Sequence, residues 1–524
     1  MAALIFDTVQ APSGGLVFDT KAAPDFVPPV RTISDEDFAA WLASDDAIAN
    51  LLVETYALVN GVRTPFYWST NGYTTEGTDH PIFYAPIVGA SIPFTEALSL
   101  SLTGRAELSA GDIEIDNTNG VNEVLASYIW ADELFALVGD MTWSRADYRK
   151  IFVGHTAGLV RKGTRAFALR LRDMMEGLNY PLSEKKFGGT GPNADTLIPL
   201  TFGEAFNAGG EWSNATALER QWHDGPIEGI PETRANGLPI TEQVIVSEAT
   251  GKSVLTADNG NAVVTATVQG DKACGVFRRT IAPLVARFIT GYGKYVDRYS
   301  LANIDARNFQ EFDAAHQQDV GLHVRQSLNV IDACQQLASS VGAQLAPSLD
   351  GTLQLIQIAL PAAGPATEIR AEHMIGGTLT HVEHIDPIGA VKLGYCRNWT
   401  PQPGLQTNLA AGHAKLFEVE WPLTVTRPSP TAARDKLPTD VEMRGTALLH
   451  GVDAAAEAER EANLWGPGRD IYEFDGVPDL LMLKKGARLI VYHDQDGMAA
   501  GVEAQVLTIT RDWWTRKVKV RFLK

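Results

Sequence analysis

Cysteine is scarce in this chain. Its 524 residues include only Cys274, Cys334 and Cys396. Three thiols, far apart and odd in number, build neither a disulfide framework nor a paired-cysteine metal motif. That excludes the small stapled scaffolds and points to folding in a reducing compartment. Basic charge is also short: 44 lysines and arginines stand against 63 aspartates and glutamates, a formal net charge of −19. A dedicated nucleic-acid binder needs a basic surface to meet phosphate, so that class is disfavoured. DNA merely passing through an acidic ring is not forbidden. No apolar run reaches the roughly 18 residues of a membrane span. The opening MAALIFDTVQAPSGG carries Asp7 and no basic lead-in, and is not read as a secretory signal. The glycine-rich GGTGPN at 188–193 lacks the GK[ST] of a phosphate loop, and no clear helix follows it to receive an anion. No G-x-S-x-G elbow and no cysteine–histidine signature with its local context occurs.

What is present is an ordinary globular balance, 45% hydrophobic and 20% charged, enough for roughly three to four domains. The 47 glycines and 27 prolines suit short strands and many turns. Period-two alternation recurs. Ile113 and Ile115 alternate with Asp112, Glu114 and Asp116 ahead of the turn residues NTNG. Phe167, Leu169 and Leu171 alternate with Ala168, Arg170 and Arg172. Val518, Val520 and Phe522 oppose Lys517, Lys519 and Arg521. Asn60-Gly61, between LLVETYALV and VRTPFYWST, is a strong hairpin signal. The stretch 96–182 reads as one compact barrel or sandwich.

Helices are fewer. Ser34 is a candidate N-cap ahead of Glu36 and Asp37, with Phe38, Trp41, Leu42, Ile48 and Leu52 forming an apolar stripe. Ile281 to Tyr295 is helix-like and ended by Gly291. Ser327 is read as capping a helix that Gly342 ends in the left-handed conformation, with Cys334 on its core face. A hairpin turning at Asp350-Gly351 follows. DAAAEAEREANLW makes a late helix with a surface pair between Glu457 and Arg460. The fold class is therefore mainly β with some α, multi-domain, with two or more β-barrel domains. The divisions are an extended N-terminal arm at 1–33, in which Phe-Asp-Thr occurs twice; a first barrel with its leading helix at 34–182; a linker and β-rich region at 183–326; a helix-hairpin α+β domain and sheet at 327–445; and a helix plus C-terminal barrel at 446–524.

Candidate chemistry is thin. His381, Glu383 and His384, with Asp386 and the more distant His373, are the nearest approach to a metal site. In a regular strand His381 and Glu383 share a face and His384 points away, and two ligands do not make a site. Asp112, Glu114, Asp116, Asn117 and Asn119 could line a calcium loop but lack its spacing. No catalytic, cofactor-binding or metal residues are assigned. The basic stripe Lys517, Lys519 and Arg521 is a candidate assembly contact with an acidic neighbour.

Five ordered segments carry a resemblance: the 96–182 unit with IDNTNG, W-x-x-A-D-Y-R-x-I-F-x-G and LRLRD, preceded by YWST with its following N-G-Y; P-L-x-F-G-E-x-F-N ending at Asn207; the helix, "SVGA" and "DG" hairpin; GYCRNWTPQ; and the closing helix and strands. Together, spanning roughly 50–205 and 325–524, they resemble the tail hub proteins at the tail tip, or baseplate, of long-tailed, siphovirus-like bacteriophages. The resemblance implies a non-enzymatic structural virion protein without cofactor. It implies a homotrimer whose two barrels per chain form a pseudo-sixfold ring. That ring joins the tail tube to threefold fibres, keeps the channel closed and opens for genome ejection. Its implied partners are the distal tail protein, the tape measure protein and a central tail fibre, with DNA only in transit and no stable membrane insertion. The implied location is the virion tail tip after assembly in the host cytoplasm. The competing readings are a receptor-binding, glycan-gripping tail protein and a cell-wall hydrolase.

Overall fold

Asn60 and Gly61 both take positive φ, 51° and 82°, the conformation that lets a two-residue turn follow the twist of its strands. They join Ala49–Val59 to Val62–Ser69 in the middle of an eight-stranded sheet. Outward from this hairpin run Phe83–Pro86 and Tyr73–Thr74 on one side. Glu133–Asp140, Arg149–Lys162, Ala166–Asp173 and Ile113–Asp116 follow on the other. The two sides meet through the residues after Phe83–Pro86. Val88 N donates to Ser69 O at 3.0 Å, Gly89 N to Glu114 O at 2.7 Å, and Asp116 N to Ile87 O at 2.8 Å. A sheet closed this way is a barrel with no free edge there. Ile113, Ile115, Phe167 and Leu169 point into its core, as the alternation requires.

The structure is a computed structural model and describes residues 32–524, apart from 45, 77–80, 90–91, 102–103, 190–192, 294–298, 407–408 and 410. Of the predicted N-terminal arm, 1–31 lie outside the described residues. The middle of the GGTGPN loop does so too.

The chain is mainly β and multi-domain, with several distinct sheets. One strand pair departs from the expected layout. Pro93–Ala97 and Glu107–Ala110 form a hairpin that does not join the first barrel's sheet. It pairs instead with Val502–Asp512 near the chain's other end. Alternation shows that a strand buries one face; it does not show which sheet receives it.

That second sheet contains Ala366–Ile369, Arg488–Val491, Val502–Asp512, Lys517–Leu523, Arg469–Gly476 and Thr380–Ile385. A bridge between Met374 and Gly476 and a 3.1 Å bond from Val477 N to His373 O tie the connection after Ala366–Ile369 to the end of Arg469–Gly476. Its strands are thus drawn from both the 327–445 and the 446–524 stretches. One continuous apolar cluster, from Phe38 through Phe152 to Phe522, fills both barrels.

Between their main strands in sequence comes a smaller β-unit. Leu200–Gly209, Ile227–Ala235, Leu238–Pro239, Val264–Asp271 and Gly321–Val324 form one sheet. Glu211–Asn214, Glu219–Gln221, Val244–Ser247 and Lys252–Leu255 form another, with Trp222 buried in the shared core. A helical layer, chiefly Ile281–Gly291 and Val330–Ala338, packs with the hairpin Ala343–Pro347 and Leu353–Gln357 in a separate core.

Three local readings are corrected. The first helix spans Asp35–Ala43, with the Ser34 hydroxyl accepting from Asp37 N as expected. Ile48 lies beyond its end and is exposed. The helix assigned to Ser327 starts at Val330 after Asn329, because Leu182 N bonds to Leu328 O and a Pro181–Asn329 bridge holds that stretch extended. Its end is as predicted, with Gly342 at φ 64°. Glu457 and Arg460 do pair, at 2.7 Å, but Glu457 is buried rather than on the surface.

Candidate functional site

The residues that carry the resemblance converge at joints. GYCRNWTPQ begins at the end of the strand Ala390–Tyr395 and turns inward. Asn398 is fully buried. Its Nδ2 donates to Phe417 O and Val419 O, both at 2.9 Å. Its Oδ1 accepts from Thr400 N at 3.0 Å and from Asn207 Nδ2 at 2.7 Å. Asn207 is the last residue of P-L-x-F-G-E-x-F-N, with φ 52°. Two motifs 191 residues apart therefore meet amide to amide. Trp399 N adds a 3.3 Å bond to Phe206 O, and Gln402 Nε2 reaches Thr265 Oγ1 at 3.3 Å. Asn398 has its donors and acceptor paired, which specifies its geometry, whereas the buried Asn207 Oδ1 and Gln402 Oε1 have no hydrogen-bond partner among the described residues.

The W-x-x-A-D-Y-R segment forms a second joint. Asp147 accepts from Thr32 N at 2.6 Å, Thr32 Oγ1 at 2.8 Å and Ile33 N at 3.0 Å. Burial opposes its charge, but these bonds and one from Ser144 prevail and hold its carboxyl at about 2. Arg149 Nη2 donates to Ile33 O at 2.6 Å. The barrel thus grips the chain where the N-terminal stretch arrives. Trp143 packs against Trp41 with ring centroids 4.7 Å apart.

Beside Asn398 lie two adjoining clefts of about 580 and 330 Å³ that share Gln336, Arg397 and Trp399. Arg397 stacks 4.0 Å from the Trp399 ring and pairs with Glu420 at 2.6 Å. Arg325 pairs with Glu211, and Arg105 with Asp332. Each of these carboxylates is paired with its own arginine. Sequence reading missed Arg325, Glu211 and Trp421, because only the fold brings them to the motif.

A buried network was also missed. His223 Nδ1 accepts from Thr201 N at 3.0 Å, and His223 Nε2 lies 3.5 Å from Asp271. Burial raises Asp271, yet His223 and Arg287 outweigh it and bring the carboxyl to about 2. The pair is sealed from solvent, which fits a packing role.

The predicted surface clusters fall as follows. Lys519 pairs with Glu473 at 2.9 Å and Asp475 at 3.6 Å, and Arg521 pairs with Glu473 at 2.8 Å. No ion pair among the described residues engages Lys517, which is exposed. His381 and His384 do not diverge as expected for a regular strand. A register shift between His381 and Glu383 turns both rings toward Asp470 Oδ1, at 3.1 and 2.7 Å. Glu383 does not join them, and no group of three or more ligating side chains able to hold a metal occurs among the described residues. In the acidic strand, Glu114 pairs with Lys162 at 2.6 Å, and Asn117 is buried against Glu123 and Asn122. Cys334 is fully buried, which pushes its thiol pKa up.

No family model matches the chain, and no curated protein matches it in sequence. Among solved structures it is similar to the tail protein from Neisseria meningitidis MC58, at 10% identity and a TM-score of 0.37, covering 90% of this chain and 96% of that one. It is similar to a chain of the virion of a native gene transfer agent particle, at 14% identity and a TM-score of 0.43, covering 66% and 87%. It is also similar to the 43 kDa tail protein of prophage MuSo2 from Shewanella oneidensis, at 7% identity and a TM-score of 0.37, covering 90% and 98%.

Proposed function

We propose that this chain is a structural, non-enzymatic component of a phage tail, the hub at the tail tip. In this reading three copies form a ring that closes the tail tube and joins it to a central fibre. The ring contacts the distal tail protein and the tape measure protein and opens for DNA. The observation that carries the reading is the contact between Asn207 and Asn398. The two segments of hub-like sequence supply the two halves of one buried joint, which supports reading them as parts of one unit. The two large sheets, with backbone bonds from Val88 to Ser69 and from Val477 to His373, support reading them as the barrels that such a ring needs. Arginine-matched carboxylates around Arg397 give a rigid, charge-compensated surface, suited to assembly more than to catalysis.

Light scattering of the purified chain tests the reading. The expected mass is near three times 56.7 kDa. A monomer at every concentration that binds host glycans by itself would overturn the hub in favour of a receptor-binding tail protein. Turnover of peptidoglycan would instead favour a hydrolase. Within the hub reading, the basic stripe is the ionic contact between subunits. Lys517 carries most of it, because Lys519 and Arg521 already face Glu473. Reversing all three charges should then weaken assembly more at low salt than at high salt.

A further inference from the structure

The strand Gly321–Val324 is one edge of the middle sheet and pairs on one side only, with Leu200–Gly209. Along such a strand the N–H and C=O groups of alternate residues point to opposite edges. Glu204 N donates to Val320 O at 3.3 Å, which sets Val320, Leu322 and Val324 toward Leu200–Gly209. Thr201, opposite His323, turns its N–H away to His223 Nδ1. Gly321 and His323, and the N–H of Arg325, are therefore directed to the outer edge. Gly321 finds a partner there: its N donates to Ala447 O at 2.9 Å, beside a Val320–Leu448 bridge. The covering segment then departs. Thr446 N donates to Gly394 O at 3.0 Å, and Met443–Gly445 joins the strand Ala390–Tyr395 instead. Beyond Gly321, no hydrogen bond among the described residues engages the His323 N–H, the His323 C=O or the Arg325 N–H.

The space along this edge is the pair of adjoining clefts. The larger, of about 580 Å³, follows the run from Leu322 to Leu328 and is also lined by Gln336 and Trp399. The smaller, of about 330 Å³, continues to Gly321, Ala447 and Trp421. Their arginines and carboxylates answer one another: Arg325 pairs with Glu211, Arg397 with Glu420, and Arg105 with Asp332. A wall so compensated does not select an ion. Unpaired N–H and C=O groups along a strand edge select another extended backbone, whose own groups recur at the same spacing. The chain's own Ala447 already meets Gly321 in that way. We propose that the clefts bind an extended, uncharged peptide segment of another protein, which adds to the middle sheet beside Gly321–Val324. Its backbone pairs with His323 and Arg325 where the Ala447 segment leaves off, and Trp399 and Trp421 offer its side chains apolar contact.

Selection of random heptapeptides from a displayed library against the full chain tests it. The expected winners are uncharged and compete with one another. Gln336 is exposed and lines both clefts, so Gln336→Trp should lower their affinity about tenfold or more with the melting temperature unchanged. N-methylation along a winning peptide should cost about tenfold at alternate residues and less than about twofold between them, because only every second N–H meets the edge. Failure to select such peptides, winners indifferent to Gln336→Trp, or an N-methyl scan without that alternation would overturn the proposal. So would self-association that Gln336→Trp abolishes and that excludes the peptides, since the occupant would then be a second copy. Peptide binding is read separately from the mass that tests the tail reading, so either can fail alone.

Discussion

Where the hairpin from the first half of the chain meets the closing barrel, Glu96 is buried between Lys485 and Arg511. Where the middle β-unit meets the sheet that follows it, Asn398 and Gln402 are buried instead. Both joints link segments far apart in sequence, and both bury the polar groups that make them. The first places charges in a low-dielectric interior, where desolvation opposes ionisation and only close partners offset it. Glu96 Oε1 is 3.0 Å from Lys485 Nζ, and Arg511 holds the other oxygen while donating to Leu481 O at 2.8 Å. The second joint uses neutral amides, which cost less to bury and carry no pH dependence. The charged joint fixes geometry strongly but fails badly when one partner is lost. The amide joint is weaker and indifferent to acid.

The largest expected effect comes from breaking the charged joint on one side. Glu96→Ala leaves Lys485 and Arg511 buried without a counter-charge and should destabilise by about 3–5 kcal/mol. The check is a fall in the thermal midpoint, with new proteolytic cleavage near Leu481 to Lys485. Replacing all three residues by apolar side chains of similar volume should recover most of the loss. If the single change were harmless, the joint would not be charge-dependent. Acid should loosen this joint selectively. Burial alone would raise Glu96, but Lys485 and Arg511 outweigh it and hold its carboxyl below the ordinary range. The stabilisation is therefore complete above the ordinary carboxylate range and is lost as pH falls through the lowered value.

Glu457 sharpens the contrast, because its sign is opposite. Burial raises its carboxyl to about 7, with neighbouring Glu461 adding to the effect and Arg460 opposing it. A folded pKa above the unfolded one means that the native state holds the extra proton between about 4.5 and 7. Its contribution is full below that window and fades as pH rises through it. Glu457→Gln should flatten stability across pH 5–7 in urea titrations. An unchanged slope would mean that Glu457 is ionised throughout.

At the amide joint, Asn398→Ala removes the donors to Phe417 O and Val419 O and the acceptor for Asn207. About 2 kcal/mol should be lost, with no change between pH 4 and 8. A pH-dependent loss would show that the joint depends on a charge elsewhere.

Much of this was readable before the fold was known, where the signal was local. Asn60-Gly61 needed positive φ, Ile113 and Ile115 needed an inner face, and Gly342 needed the left-handed conformation; each is decided within a few residues. The misses share one cause. The partner sheet of Pro93–Ala97, the bulge that brings His381 and His384 to Asp470, and the extended stretch that delays the helix to Val330 are all set by chain segments distant in sequence. The candidate joints were half legible. The NWT and FGEAFN words stood out, but their mutual contact, and the Glu96 triad altogether, exist only once the topology is known.

The smallest effect concerns the stripe that the sequence made most visible. Lys519 and Arg521 side chains are 48% and 42% exposed, and both answer to Glu473. Exposed pairs of this kind contribute about 0.2–1 kcal/mol each and weaken with salt. Lys519→Ala should thus lower the melting midpoint by little, and the effect should shrink further in 0.5 M salt. Glu473→Ala is the more informative change, because it frees two cations at once. If the stripe serves assembly, removing its internal counter-charge should strengthen association between copies at low salt, read as a larger mass by light scattering. If the stripe only braces its own sheet, the mass should stay fixed while stability falls slightly. The two outcomes separate an assembly contact from a solvated strand face without altering either basic residue.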